Sequence, residues 1–250
     1  MYQSIHICGE ELWLYNILLG LGILAALLYL VKEIETRRYF RHEAALMTVL
    51  TVSVLAGIAG AHVAEQIVQQ RPLTWENLVY GGSTFLGGLL AGGTVFLLGI
   101  RITRQQLFPV LCMSIPAVPL AHAFGRIGCF LGGCCYGAPA PKWLGVVYPP
   151  GSEAFARFGP QPLYPTQLFE AALNFLLFWI LFRRTPFRYR PSVYLVGYGV
   201  GRFLLEFLRA DSRGDLLPGL SFSQWIGLAM MLSGYAVWRN VRLGRLRAGE

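Results

Sequence analysis

The sequence predicts an all-α integral membrane protein with about seven transmembrane helices. Of its 250 residues, 55% are hydrophobic and only 14% are charged, and the mean hydropathy is +0.50. A soluble domain of this length does not need so much apolar surface for its core, whereas helices that cross a bilayer do. Basic residues also cluster in alternate loops between the apolar stretches, as they do in polytopic membrane proteins.

Seven stretches are long enough to cross about 30 Å of hydrocarbon as helices. In chain order they are residues 12–31, 44–68, 79–100, 107–131, 164–182, 193–208 and 222–238. The third is rich in glycine, and the fifth opens with polar residues and carries Glu170.

The first stretch is expected to stay in the mature protein. The preceding residues, MYQSIHICGEELW, lack the basic start of a cleavable signal peptide, and the apolar run that follows is long enough to form a span. No low-complexity segment, long linker or regular repeat interrupts the chain. We therefore expect one integral membrane domain over residues 1–250.

The basic loops predict the orientation of the spans. Fourteen of the 21 Lys and Arg residues follow the first, third, fifth and seventh stretches: Lys32, Arg37, Arg38, Arg41, Arg101, Arg104, Arg183, Arg184, Arg188, Arg190, Arg239, Arg242, Arg245 and Arg247. The positive-inside rule places these loops and the C-terminus in the cytoplasm and the N-terminus outside. Because the cations form no continuous tract, the net charge of +8 does not indicate a nucleic-acid partner.

The third stretch contains paired glycines in YGGSTFLGGLLAGG. Gly88 and Gly92 are four residues apart, and small residues at this spacing let neighbouring helices approach closely. Close helix packing is the favoured interpretation, and a broken helix lining a lipid-sized cavity is the alternative.

The fourth stretch ends in HAFGRIGCFLGGCCYG, which places Arg126 near the outer end of an apolar helix. An ionisable side chain at membrane depth is disfavoured by several kcal/mol unless it is paired or hydrated, so Arg126 is a candidate functional residue. The alternative is that Arg126 extends to the lipid headgroups. His122 lies one turn deeper on the same face of the helix.

The loop that follows, roughly residues 132–163, is rich in Gly and Pro and is expected to be functional. Cys8, Cys129, Cys134 and Cys135 fall near the outer face, and Cys112 lies in the inner half of the fourth stretch. The spacing CxxxxCC matches no zinc signature, so packing or a disulfide is favoured over a metal site, and no metal is expected.

The fifth and sixth stretches add charged residues on the same side of the membrane. Arg202 and Glu206 are four residues apart in GYGVGRFLLEFLRAD and can pair on one helix face, which Arg209 continues by a further turn. Glu170 lies in the outer half of the fifth stretch. We expect these groups to meet Arg126, either at a functional site or in a purely structural salt-bridge cluster.

These motifs resemble the prolipoprotein diacylglyceryl transferase family. The likeness comprises GRIGCFLGGCCYG, YPTQLFEA and GYGVGRFLLEFLRAD in that order, together with Tyr15 and GGSTFLGG, and it extends over essentially the whole chain. It implies a phosphatidylglycerol-dependent transferase of the bacterial cytoplasmic (inner) membrane. The implied reaction moves a diacylglyceryl group from phosphatidylglycerol to the lipobox cysteine thiol of a prolipoprotein, releases glycerol phosphate and needs no cofactor.

The resemblance also implies roles for individual residues. Arg126 and Arg202 match the two functional arginines of the family, which suit a reaction that expels a phosphate, and Glu206 is expected to orient Arg202. The expected binding site for phosphatidylglycerol and the prolipoprotein signal peptide is completed by Tyr15, Gly137, Glu170 and Arg209.

Three departures from the family pattern concern activation of the acceptor thiol. Leu86 replaces a histidine that many members carry and that is a candidate base, Cys129 replaces an asparagine, and Tyr164 replaces a histidine. His122 is the natural substitute base, with a merely packed histidine as the alternative. A lipid-binding protein that no longer catalyses, or has altered specificity, is therefore the alternative function, and a transporter is less favoured because no inverted repeat is evident.

Overall fold

The computed structural model describes residues 4–7, 10–37, 42–80, 84–210, 215–217 and 219–247. Within these ranges the chain is mainly helical, as predicted, with two short antiparallel hairpins. The helices are α1 (Leu14–Arg37), α2 (Glu43–Val68), α3 (Trp75–Tyr80), α4 (Phe85–Ile102), α5 (Leu107–Ser114), α6 (Ala117–Gly132), α7 (Glu153–Phe158), α8 (Thr166–Arg183), α9 (Arg190–Leu205) and α10 (Phe222–Arg242). The strands are β1 (Ser4–Ile7), β2 (Glu10–Trp13), β3 (Asp215–Leu217) and β4 (Leu220–Ser221).

Each of the seven predicted stretches coincides with helix, but two of them differ in detail. The third comprises the separate helices α3 and α4. The fourth comprises α5 and α6, which meet at Pro116, a residue with no N–H for a helical hydrogen bond to Cys112. Within the described residues, four helical segments are long and apolar enough to cross a membrane, namely Leu14–Arg37, Glu43–Val68, Leu107–Gly132 and Thr166–Arg183.

The chain divides into two compact units, of which Leu30–Val110 is the smaller. Its helices α2 and α4 run antiparallel and touch through small residues: a Cβ atom on Gly92 would lie 2.8 Å from the Ser53 carbonyl oxygen, and one on Gly88 would lie 3.0 Å from that of Gly57. The close-packing interpretation is thus confirmed for Gly88 and Gly92. Gly81 and Gly82 of the same motif lie outside the described residues.

The larger unit, Met1–Tyr29 with Leu111–Ala248, carries the candidate site on α6, α8 and α9. Glycines again set the closest approaches between its helices. A Cβ atom on Gly199 of α9 would lie 2.7 Å from the Gly227 carbonyl oxygen of α10, and one on Gly128 of α6 would lie 3.0 Å from the Tyr15 ring of α1. Substituting either glycine would therefore push two helices apart.

The long loop between α6 and α8 is a folded segment with its own apolar core. Tyr136, Tyr148, Ala154 and Leu163 form this core and are almost completely buried. The Tyr148 hydroxyl donates a hydrogen bond of 2.9 Å to Gln167 Oε1, and burial raises the pKa of Tyr148 to about 12. This core therefore holds the loop against the first turn of α8, one turn before Glu170.

Candidate active site

A buried ion pair joins α6 to α8 at the centre of the candidate site. Arg126 Nη2 lies 3.0 Å from Glu170 Oε1, and the Glu170 side chain is only 1% exposed. The two residues belong to different predicted spans, so the structure brings together two of the residues that the sequence analysis selected. A carboxylate this deeply buried depends on its partners to remain charged.

His122 and Tyr198 complete the surroundings of this ion pair. The Tyr198 hydroxyl donates a hydrogen bond of 2.9 Å to Glu170 Oε1. Arg126 Nε donates one of 3.1 Å to His122 Nε2, so the hydrogen-bond pattern assigns the imidazole proton to Nδ1. The Nε2 lone pair of His122 is therefore occupied by a guanidinium donor in this arrangement.

Arg202 forms a second ion pair, between α9 and the turn that follows it. Arg202 Nη2 lies 2.7 Å from Glu206 Oε2, and both side chains are buried. The same nitrogen donates a hydrogen bond of 2.8 Å to Ser223 Oγ, while Ser221 Oγ donates one of 2.9 Å to Glu206 Oε1. The predicted i, i+4 pair is therefore present, and two serines at the start of α10 extend it.

One donor of this second pair has no partner among the described residues. Arg202 Nη1 is buried and makes no hydrogen bond to any residue that the structure describes. A buried guanidinium nitrogen without an acceptor is unfavourable unless an anion or water completes it. The Nη1 group of Arg202 is thus a candidate donor to an anionic ligand.

A third arginine lies near the two ion pairs. Arg126 and Arg202 are both electrostatic neighbours of Glu170, and Arg209 is a neighbour of Arg202. Among the described residues, the cluster therefore contains the guanidinium groups of Arg126, Arg202 and Arg209 beside the carboxylates of Glu170 and Glu206. Guanidinium groups are the side chains best suited to bind phosphate oxygens.

Three cysteines lie beside Arg126, at the end of α6 and in the turn after it. The sulfur atoms of Cys129, Cys134 and Cys135 lie within 4.8 Å of one another, and none of the three forms a disulfide. Hydrogen bonds with Cys129 and Cys134 hold the pKa of the Cys135 thiol below its usual range, and the charges of Arg126 and Arg209 act in the same direction. Hydrogen bonding to its two neighbours raises the pKa of Cys134. Cys8 lies where the chain is not described.

Gly137 joins the loop to the residues just before α8 and to the segment that follows α9. Its N–H donates a hydrogen bond of 2.9 Å to the Tyr164 carbonyl, and its backbone pairs with that of Arg209. A Cβ atom at this position would lie 2.6 Å from the Leu208 carbonyl oxygen. Gly137 and Arg209 thus meet through their backbones at the edge of the site.

The sequence analysis did not select Tyr198, Ser221 or Ser223. Tyr198 precedes Arg202 by one helical turn, so the spacing that revealed Glu206 could also have revealed Tyr198. The serines carry no such signal because they lie at the start of another helix, α10. Leu86 belongs to the smaller unit, and its side chain is 59% exposed.

Comparison with known proteins identifies relatives over nearly the whole chain. Residues 3–239 match the family model described as "Prolipoprotein diacylglyceryl transferase". The chain is 33% identical over 257 residues to phosphatidylglycerol–prolipoprotein diacylglyceryl transferase 2 of Clostridium perfringens, an alignment that covers 98% of this chain and 97% of the relative. The corresponding transferase of Clostridium tetani is 34% identical over 241 residues, which cover 92% and 93% of the two chains.

Proposed function

Because the chain belongs to the prolipoprotein diacylglyceryl transferase family, it transfers a diacylglyceryl group from phosphatidylglycerol to prolipoproteins, and we propose that Arg126 and Arg202 bind the lipid phosphate during this reaction. The acceptor is the thiol of the lipobox cysteine that follows the signal peptide. Its sulfur attacks the glyceryl carbon, and glycerol phosphate leaves with the electron pair of the broken C–O bond.

The observation that carries this proposal is the Nη1 atom of Arg202, which is buried and has no hydrogen-bond partner among the described residues. A phosphate oxygen would accept a hydrogen bond from that donor. As the C–O bond breaks, negative charge grows on the leaving phosphate, and fixed guanidinium groups in a water-poor site stabilise it. The arginines therefore serve both substrate binding and the transition state.

The carboxylates orient the arginines in this proposal. Glu206 and Ser223 both bind Nη2 of Arg202, which fixes the direction of the Nη1 group beside it. Glu170, itself bonded to Tyr198, does the same for Arg126. We place Tyr15, Gly137 and Arg209 at the edge of the binding site, where Gly137 allows the loop to lie against the turn that follows α9.

His122 has two possible contributions to the reaction. It positions Arg126 as long as Nε2 accepts the bond from Arg126 Nε. It can remove the proton of the acceptor thiol only after that hydrogen bond is exchanged, because the same lone pair is needed. The two roles predict different pH profiles for His122 variants, which are considered in the Discussion.

The proposal includes the membrane setting of the site. We infer a single integral membrane domain with seven spans in the bacterial inner membrane, since the family model covers both compact units. The basic loops favour an N-terminus outside and a C-terminus in the cytoplasm. Arg126, Arg202 and Glu170 would then face the outer side, where a secreted prolipoprotein presents its signal peptide.

The test uses the purified protein, phosphatidylglycerol and a lipobox peptide with a single cysteine. We expect a diacylglyceryl thioether on the peptide and release of glycerol phosphate. Arg126→Lys and Arg202→Lys keep the charge but lose the planar donor pair, so each should lower turnover by about tenfold or more at normal membrane abundance.

Arg157→Lys is the matched control because Arg157 is an exposed arginine of the loop, outside the cluster. It should retain full activity. Full activity in Arg126→Lys and Arg202→Lys would contradict the phosphate-binding role, whereas absence of both products in the unaltered protein, under conditions where a Clostridium relative works, would contradict the transfer reaction itself.

A further inference from the structure

The thiol cluster of Cys129, Cys134 and Cys135 is not used by the phosphate-binding proposal. Cys129 lies in the last turn of α6, and the chain then reverses through Gly133, which has a left-handed φ of 71°. Cys135 also has a positive φ, at 59°, so the turn directs the chain back toward the helix end. The three sulfur atoms meet because of this double reversal.

Buried donors from α8 fix the backbone of the turn. Gln167 Nε2 donates a hydrogen bond of 2.6 Å to the Cys134 carbonyl, and Thr166 Oγ1 donates one of 2.9 Å to the Cys135 carbonyl. Gln167 is fully buried and Thr166 is 1% exposed. The thiols are therefore held by a rigid support before any ligand arrives, as in preformed metal sites.

We propose that Cys129, Cys134 and Cys135 bind one zinc ion as thiolates and leave its fourth coordination position open for the acceptor thiol of the prolipoprotein. Sulfur ligands about 2.3 Å from a tetrahedral zinc lie about 3.8 Å apart, so the observed cluster needs only a small contraction. Among the described residues, no His, Asp or Glu joins the three sulfur atoms as a fourth ligand. Three protein ligands with one open position are typical of catalytic rather than structural zinc.

This inference rests on the transferase function and supplies its missing step. A thiol that binds zinc gives up its proton to water and becomes a nucleophilic thiolate at neutral pH. The thiolate sulfur then forms the S–C bond, the glyceryl C–O bond breaks, and the electron pair leaves on glycerol phosphate. His122 need not release Arg126 for this route.

The charges next to the cluster suit a zinc ion with three thiolates, which carries one negative charge. Arg126 precedes Cys129 by one helical turn, and Arg209 is an electrostatic neighbour of Cys135. These two cations balance the negative charge of the metal group. The same Arg126 would then contact the leaving phosphate beside the zinc-bound nucleophile.

Metal binding can be tested without lipid or turnover. Protein purified with a phosphine reductant and stripped with chelator is titrated with cadmium chloride, whose thiolate complexes absorb in the near ultraviolet, and with zinc chloride in equilibrium dialysis. We expect one metal per chain, with affinity lowered about tenfold or more by Cys129→Ser, Cys134→Ser or Cys135→Ser. Cys112→Ser is the matched control because Cys112 is buried in α5, outside the cluster, and it should bind metal normally.

A second measurement tests the open position. Cobalt replaces zinc, and a lipobox peptide is added with either cysteine or serine at the acceptor position. The cysteine peptide should change the visible cobalt spectrum, and the serine peptide should not. Failure of the reduced protein to bind metal, or equal binding by all the serine variants, would overturn the metal site. Binding without a response to the cysteine peptide would overturn its role in activation, and neither result depends on the transfer assay.

Discussion

Glu170 is the residue on which the polar contacts of the candidate site converge. Its Oε1 atom lies 3.0 Å from Arg126 Nη2 and accepts a hydrogen bond of 2.9 Å from the Tyr198 hydroxyl. His122 Nε2 lies 3.6 Å from the same oxygen. Removing one partner of a buried ion pair leaves the other charge without compensation. The geometry of Arg126 therefore depends on the charge of Glu170.

The substitution Glu170→Gln tests this dependence. Glutamine keeps the shape and can still accept a hydrogen bond from Tyr198, but it leaves Arg126 without a countercharge, at a cost of about 3 kcal/mol. We expect a lower thermal unfolding temperature in detergent and a loss of transfer activity. Glu153→Gln, at an exposed residue that begins α7, should change neither measurement. Equal stability of the two variants would show that Glu170 does not anchor Arg126.

His122 is the second residue whose role can be separated by experiment. His122→Gln supplies an amide oxygen that can accept a hydrogen bond from Arg126 Nε, whereas His122→Ala supplies no acceptor. If His122 positions Arg126, the glutamine variant should retain much more activity than the alanine variant at every pH. If His122 is the base, both should be impaired at neutral pH and partly recover near pH about 9, where the thiol ionises unaided.

The measurement is the pH profile of kcat at saturating phosphatidylglycerol, from neutral pH to pH about 9. Membrane abundance of both variants is determined in parallel, so that loss of folded protein is not counted as loss of turnover. Full activity of His122→Ala at neutral pH would exclude both roles.

At the scale of elements, the first turn of α8 organises the loop that carries the cysteines. Thr166 and Gln167 bond to the carbonyls of Cys135 and Cys134, and the Gly137 N–H bonds to the Tyr164 carbonyl just before the helix. The N-terminus of α8 therefore fixes both the thiols and, one turn later, Glu170. A change in how the loop docks should be felt at the charged cluster.

Gly137→Ala is expected to disturb this docking. The new Cβ atom would lie 2.6 Å from the Leu208 carbonyl oxygen, which is main chain and cannot rotate away. We expect a loss of stability of about 1–3 kcal/mol and reduced activity, measured by thermal unfolding and by the transfer assay. Gly132→Ala is the matched control, because a Cβ atom there has no atom within 4 Å, and it should be tolerated. Identical behaviour of the two variants would exclude a docking role for Gly137.

At the scale of the whole molecule, the distribution of the cations predicts the topology of the chain. Reporters fused after Glu250 and inserted within residues 151–160 should lie on opposite sides of the membrane, with the C-terminus in the cytoplasm and the loop outside. Each position is fused in turn to a reporter enzyme that is active only in the cytoplasm and to one that is active only outside, and the two activities are compared. A cytoplasmic signal from the loop would contradict the orientation and the outward placement of the site.

The sequence predicted helices and local pairs well because both depend on short-range periodicity. Arg202 and Glu206 pair as their spacing requires, and helix forms in each of the predicted apolar stretches. The division of the fourth stretch at Pro116 also has a local cause, although the apolar run concealed it.

The sequence by itself determined the family, the helical class and the identity of the charged residues, since these follow from composition, motif order and the expense of burying charge. Tertiary structure alone decided that Arg126 pairs with Glu170, that Ser223 completes Arg202 and that three thiols meet beyond α6. These contacts join different helices or cross a reversed turn. They depend on how the helices pack and on which donors form hydrogen bonds with the backbone carbonyls. The spacing of residues within one helix does not predict either.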